Sequence, residues 1–386
     1  MNNTIVSYLS QFESYKGLLE SFSSLFGEAG PGLLTFLVFL IGCILVVTVM
    51  ATIGGLGTYA ERKISADMQA RMGPNRVGPY GLLQFLADGV KMFLKEDITP
   101  NTADKFIFGL APLLALVGVF GTLAVLPFSS GFTLSNLNVG VFYLIGIGSL
   151  VGVAIFLGGY ASNSKWSMLG GMRGASQIIS YEIPVVLSLM AIVLMSGSLN
   201  FGGLVGAQGG LPQEWFIFHN PFTFIGFFVF FIGALAETNR APFDLPEAES
   251  ELVSGYHTEY SGMRFAFFAL AEYIEVFVVC GVGAAAFLGG YKVPFNLGGE
   301  GIIGQVLQVL VFFGKTLALY YLVIMIRWTY PRLRVDQLMT LCWKYLTPMA
   351  IFNLIGCALW IYLLDSKSMW DMLAAFVGSM GTGGGH

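Results

Sequence analysis

Glu272 and Glu275 interrupt the apolar stretch FAFFALAEYIEVFVVCGVGAAAF. Three positions apart, they project from one face if the stretch is a helix. A carboxylate inside hydrocarbon costs about 2.5–3.5 kcal/mol on insertion scales, so each should face a bundle interior, be neutralised or meet a cation. Lys315, in another apolar stretch, is the available cation. Glu182 adds a partly buried carboxylate beside Tyr181, shortly before Pro184. An ion pair of Glu272 with Lys315 explains one of these acids and leaves the others unexplained. A chain of titratable groups is the better account, because interacting carboxylates in a low-dielectric cavity titrate together and exchange protons.

Two loops concentrate the remaining charge. The segment AETNRAPFDLPEAESELVSGYHTEYSGMR, residues 236–264, holds Glu237, Asp244, Glu247, Glu249, Glu251 and Glu259. Pro242 and Pro246 bar a regular helix, and irregular backbone at membrane depth survives only packed in protein or facing water. Glu247 and Glu251 share a helical face, whereas Glu249 does not. A solvated loop that docks a basic partner and a proton or quinone cavity both fit this pattern. In the segment 60–100, Lys63, Asp67 and Arg71 recur at i, i+4 spacing beside an apolar row of Ile64, Met68 and Met72. This predicts a short helix lying in the membrane interface, stopped by Gly73-Pro74. A second such helix fits residues 81–96, with Leu82, Leu86, Val90 and Phe93 opposite Asp88, Lys91 and Lys95. The pair reads as an interfacial anchor or as the mouth of a site for a hydrophobic tail.

The elements that must position these groups are membrane spans. The chain is 55% hydrophobic and 11% charged, with a mean hydropathy of +0.74, far from the soluble range. Eight stretches approach the roughly 20 apolar residues that cross a bilayer. They lie near 33–57, 106–127, 139–160, 179–197, 221–237, 265–289, 303–327 and 346–364. Their continuous apolar character excludes the alternating strands of a barrel. The fold class is an all-α polytopic membrane protein of about eight transmembrane helices with short amphipathic interfacial helices. Lys and Arg crowd the connections at 58–105, 161–178, 236–264 and 328–345, which places those loops in the cytoplasm and both termini outside. The other side shows only Lys16, Lys292 and Lys367 and reads as plain Gly-rich linkage. The domain plan is an outer N-terminal extension at 1–30, one helical domain at 31–365 and a tail at 366–386. Residues before the first span lack a basic start and carry Glu13, Glu20 and Glu28, so no cleaved signal is expected. Residues 5–26 fit a surface helix.

Several chemistries are not supported. Cys43, Cys280, Cys342 and Cys357 lie in or beside apolar stretches without metal spacing, and no metal site is expected. His219, His257 and His386 fall in loops or at the end, where they could not serve as axial ligands of a membrane haem. Neither a Walker A sequence nor a dinucleotide fingerprint between strand and helix occurs.

The strings AERKISADMQARMGPNRVGPYGLLQFLADGVKMF, SQIISYEIP, AETNRAPFDLPEAESELVSGYHTEYSGMRFAFFALAEY and RWTYPRLRVDQLM resemble the quinone-site membrane subunit of proton-pumping NADH:quinone oxidoreductase, complex I. The resemblance spans most of the chain. It implies a translocase subunit without catalytic residues or cofactors of its own. FMN and iron–sulfur clusters sit in partner subunits, and the neighbours are the peripheral redox arm, the antiporter-like membrane arm, the bilayer and no nucleic acid. The implied quinone channel takes Glu61, Arg62, Met68, Arg71, Asp88 and Phe243. The implied proton path takes Glu182, Glu237, Glu247, Glu249, Glu251, Glu259, Glu272 and Glu275, with Arg173, Arg240 and Arg264 as charge partners alongside Lys315. A membrane-bound hydrogenase-type complex shares fold and carboxylates, but GPNRVGPYGLLQ and FDLPEAESELVSGYHTEYSG are closer to the quinone-reducing branch. A freestanding transporter would show related halves, and no internal repeat is seen. The N-terminal extension and the net charge of −4 suit a bacterial cytoplasmic membrane better than an organelle.

Overall fold

The computed structural model describes residues 30–294, 301–364 and 369, with the side chains at 31–33, 35, 38, 39, 249, 250, 302 and 364 outside the description. The expected surface helix at 5–26, the tail, and the extension before Gly30 also lie outside the described residues. Nine helices of ten residues or more are described: α1 Gly30–Met68, α2 Gln84–Leu94, α3 Lys105–Leu123, α4 Gly140–Ala161, α5 Lys165–Ser196, α6 Pro221–Glu237, α7 Gly262–Phe287, α8 Ile302–Thr329 and α9 Thr347–Leu364. No strand occurs among the described residues, where Pro127 and Thr133 form only an isolated bridge.

Among the described residues seven helical stretches are long and apolar enough to cross a membrane, and α6 is a shorter apolar helix of 17 residues. All eight expected spans thus appear as helices. Two differ in extent. The fourth begins at Lys165, so residues 165–178, expected as loop, are helix that continues into the span. Only Ser162–Ser164 separates it from α4. The interfacial helix expected after the first span is likewise no separate element. Residues 60–68 extend α1, which runs unbroken for 39 residues. From Tyr59 to Met68 there is neither Gly nor Pro to stop it. The second amphipathic helix forms as α2, somewhat shorter than expected.

The chain divides into one unit ending at Ile53, described from Gly30 as the first part of α1, and a second running from Gly54. In the second unit α3, α4 and α5 alternate in direction. Asp104 N–H donates to Ala161 O at 3.1 Å, which joins the start of α3 to the end of α4, and Val141 N–H donates to Leu199 O at 3.0 Å at the opposite end. Small residues allow close crossings. A Cβ on Gly159 would lie 2.5 Å from Ser167 O, so α4 and α5 approach at backbone distance. The interior includes Phe108, Leu123, Leu189, Ile192 and Phe277, each nearly or wholly buried.

The connection between α5 and α6 is more than linkage. Gln208, buried within it, donates through Nε2 to Ala285 O (3.0 Å) and Ala286 O (3.1 Å) at the end of α7. Its Oε1 accepts from Gly289 N (2.8 Å) and Phe216 N (3.2 Å). One side chain thus satisfies backbone groups that the helix end leaves open.

Candidate functional site

The site gathers at the charged ends of α1, α5, α7 and α8. Gln177 of α5 is fully buried and donates through Nε2 to Ala236 O at 2.7 Å, Phe243 O at 2.8 Å and Asn239 Oδ1 at 3.2 Å. These bonds hold the turn after α6 against α5, and that turn presents Arg240. The Arg240 side chain is 2% exposed. Its Nη1 donates to Glu61 Oε2 of α1 at 2.5 Å, its Nε lies 2.7 Å from Glu272 Oε1 of α7, and its guanidinium carbon is 4.2 Å from the centre of the Tyr273 ring. Arg327, in the last turn of α8, donates to the other Glu61 oxygen. Two arginines and two carboxylates from four chain segments thus neutralise one another, the condition under which buried charge is tolerated.

Along α7 from Glu272, Glu275 enters a second region. Glu275, Glu182 of α5 and Glu237 of α6 line a cavity of about 50 Å³ that is apolar but for these acids and Thr122, walled by Val119, Gly148 and Phe230 among others. By volume it holds roughly three waters. Gly148 borders it closely: a Cβ there would stand in ordinary contact, 3.8 Å from Thr122 Cγ2 and 4.0 Å from Glu237 Oε1.

The loop from Arg240 to Ser261 forms a third region. Glu247 Oε1 accepts from the Tyr256 hydroxyl at 3.3 Å and lies 3.5 Å from His257 Nδ1. Burial, with the neighbouring charges of Glu272 and Asp244, pushes the Glu247 carboxyl well above the usual carboxylate range. Burial lowers His257 to about 4, so the imidazole is neutral at pH 7. Gly255 permits the fold at this point: its φ is +59° and a Cβ would fall 1.6 Å from Pro246 O. Around the loop run three ion pairs: Arg173–Glu251 at 2.7 Å, Arg332–Asp244 at 2.7 Å and Arg264–Asp97 at 3.1 Å. Ser261 Oγ donates to Glu96 O at 3.1 Å and accepts from Ile98 N at 2.9 Å, which ties this loop to the one that follows α2.

At the exposed edge, Arg62 of α1 pairs with Asp88 of α2 at 2.5 Å, and Gln84 Nε2 donates to Asp88 Oδ1 at 3.2 Å. Met68 is 38% exposed nearby in sequence, and Arg71 is exposed, donating to Gln69 Oε1.

These helices and loops carry the comparison with known proteins. A family model described as NADH dehydrogenase matches residues 41–358. An NADH-quinone oxidoreductase subunit of Anaeromyxobacter dehalogenans is 46% identical over 335 residues, 83% of this chain and 81% of that protein. The subunit of the same name in Bacillus cytotoxicus is 50% identical over 304 residues, 78% and 88% of the two chains. NADH-quinone oxidoreductase subunit 8 of Rhodothermus marinus is 46% identical over 332 residues, 83% and 96%. The chain belongs to the NADH dehydrogenase family.

In this family member Glu61, Glu272 and Arg240 meet directly; Glu182, Glu237 and Glu275 share the cavity; Glu247 and Glu251 face the loop interior and its rim. Glu259 is half-buried on the next turn, and the Glu249 side chain lies outside the described residues. Phe243 is buried against Tyr181, with ring centres 5.7 Å apart, so it packs the interior of the loop and does not form an open wall. Lys315 does not pair with Glu272. Its ammonium donates to Gly290 O at 2.9 Å and Lys292 O at 3.4 Å and lies over the Trp215 ring at 4.6 Å. Glu272 is fifteen residues back from Phe287, the end of α7, and therefore roughly 20 Å away along the helix. Arg327, Gln177 and Tyr273 belong to the site and were not singled out from sequence. The available signals were an arginine closing an apolar helix and a glutamine within SQIISYEIP.

Proposed function

We propose that this chain is the membrane subunit at which a proton-translocating NADH:quinone oxidoreductase takes up quinone and links its reduction to proton movement. The observation that carries this reading is Arg240, buried between Glu61 and Glu272. It places one fixed positive charge where the loop bearing Glu247 meets the helix bearing Glu275. The names of the relatives, all NADH-quinone oxidoreductase subunits, supply the reaction class.

On this reading Arg62, Asp88 and Met68 form the edge of the entrance for a lipophilic quinone, with Arg71 beside it and Glu61 further in. The headgroup is reduced outside this chain by electrons from partner subunits that carry FMN and iron–sulfur clusters. Negative charge arriving with those electrons competes with Glu61 and Glu272 for the arginines. A carboxylate released from Arg240 gains affinity for a proton, and the carboxylates of the cavity pass that proton toward the antiporter-like membrane arm. Glu247, already biased to its neutral form by burial, gives the loop a group that changes charge with the state of the cluster. The chain sits in the bacterial inner membrane with its charged loops in the cytoplasm and its termini outside.

Purification of the tagged chain in mild detergent tests this. Co-purifying flavin and iron–sulfur subunits with inhibitor-sensitive NADH:quinone reductase activity are the expected result. Nickel–iron hydrogenase subunits, or a solitary chain, would overturn it.

A further inference from the structure

Asn353 lies in the middle of α9 with no exposed surface. Neither its Nδ2 nor its Oδ1 meets a protein hydrogen-bond partner among the described residues. An amide without partners in an apolar interior is strongly unfavourable, and inside a bilayer no bulk water relieves it. The facing position is Gly226 of α6, itself buried. A Cβ built there would meet the Asn353 Nδ2 at 4.0 Å and no other atom within that distance. The helices therefore leave a small space bordered by a glycine on one side and an orphaned donor and acceptor on the other.

We propose that Asn353 and Gly226 form a binding site for an ordered water between α6 and α9. The chemistry selects the ligand. A carboxamide offers one acceptor and two donors without charge, which matches water, itself both donor and acceptor. An ion would require a charged partner, and burial of the amide keeps out a lipid headgroup. Gly226, Phe230, Gly233 and Glu237 fall at i, i+4, i+7 and i+11, one face of α6. Phe230 and Glu237 on that face line the carboxylate cavity, so the water sits on the same face roughly 16 Å from Glu237. One turn beyond Asn353 on α9, Cys357 Sγ lies 4.0 Å from Asn220 Nδ2, which continues the polar positions toward the start of α6. The site thus extends hydration along α6 past the end of the cavity, which goes beyond the function proposed above.

A cryo-EM map of the intact native assembly, at a resolution that shows waters, decides this. The expected result is a density within about 3 Å of the Asn353 amide, on the side of Gly226. It should be lost in both Asn353→Leu and Gly226→Ala, the second of which leaves the amide in place and keeps the test open if the first fails to assemble. An amide bonded directly to protein atoms, with no density between it and Gly226, overturns the proposal, as does a density that persists in Gly226→Ala. The map reads the site itself, so a loss of enzymatic activity bears on the proposed function and not on the water.

Discussion

Arg240 Nε lies 2.7 Å from Glu272 Oε1, and Arg240 Nη1 lies 2.5 Å from Glu61 Oε2. One guanidinium therefore answers two carboxylates on different helices, and the charge expected from Lys315 is supplied from a loop.

Replacing Arg240 by alanine should be among the most damaging single changes in the chain. Removing one partner of a buried ion pair leaves the other uncompensated, at about 3–5 kcal/mol. Thermal melting of the purified assembly should show a large loss for Arg240→Ala and a smaller one for Arg240→Lys, which keeps the charge but loses the fork. Equal melting of wild type and Arg240→Ala would show that the cluster holds no fold together.

Glu237 and Glu275 line the cavity without an ion pair among the described residues, so their neutral analogues should leave packing nearly intact. Glu237→Gln and Glu275→Gln should each lower quinone-linked proton pumping several-fold in membrane vesicles, with NADH oxidation by an artificial acceptor unchanged. Glu272→Gln should also lower pumping, with some loss of stability because Arg240 is left with Glu61. Pumping at wild-type levels in all three would remove these carboxylates from the path.

Arg62→Ala should weaken quinone reduction more than oxidation by an artificial acceptor, since it disturbs only the exposed pair with Asp88. The pair is too exposed to matter much for stability. Equal loss of both activities would point to failed assembly.

His257 should give the loop a defined acid response. Its folded pKa of about 4 lies below the unfolded value near 6.5. The unfolded chain therefore binds the proton first, and stability falls as pH drops from about 6.5 toward 4, by about 3 kcal/mol at most. Glu247, raised in the folded state, works in the opposite sense and loses its contribution as pH rises above its unfolded value. The difference in melting between wild type and His257→Gln isolates the histidine. It should be flat above pH 7 and should shrink the acid loss below 6.5; a parallel pair of curves would rule out a buried neutral imidazole.

Gly262 has a φ of +55°, and a Cβ there would lie 3.1 Å from Lys95 O. Gly262→Ala should destabilise by about 1–2 kcal/mol and open the loop to limited proteolysis, and an unchanged digestion pattern would count against a close seat.

The spans were readable because hydrophobic length is a one-dimensional property, and all eight stretches return as helices. Their ends were less so. Residues 165–178, with Lys165, Arg173 and three glycines, look like loop, and residues 60–68 look like a separate interfacial helix, yet no proline interrupts either stretch and each continues a span. The acids of the site stood out because each sits in apolar or proline-rich surroundings. Their pairings did not. Lys315 and Glu272 share no sequence relation that reveals which carbonyls end up beside the lysine, whereas Arg240 gains its position from Gln177 through backbone acceptors that are invisible in the sequence. The glycine-rich connection between α5 and α6 gave no hint of Gln208, because one buried amide among flexible residues resembles any other polar loop residue.

The Ser261 hydroxyl accepts from one residue and donates to another within the segment after α2, although more than 160 positions separate them. Two loops that look independent in the chain therefore behave as one heritable part. A hybrid that imports residues 60–100 from a relative and keeps the native 236–264 would carry mismatched halves of a joint. Exchanging both together is the smallest transplant that respects it.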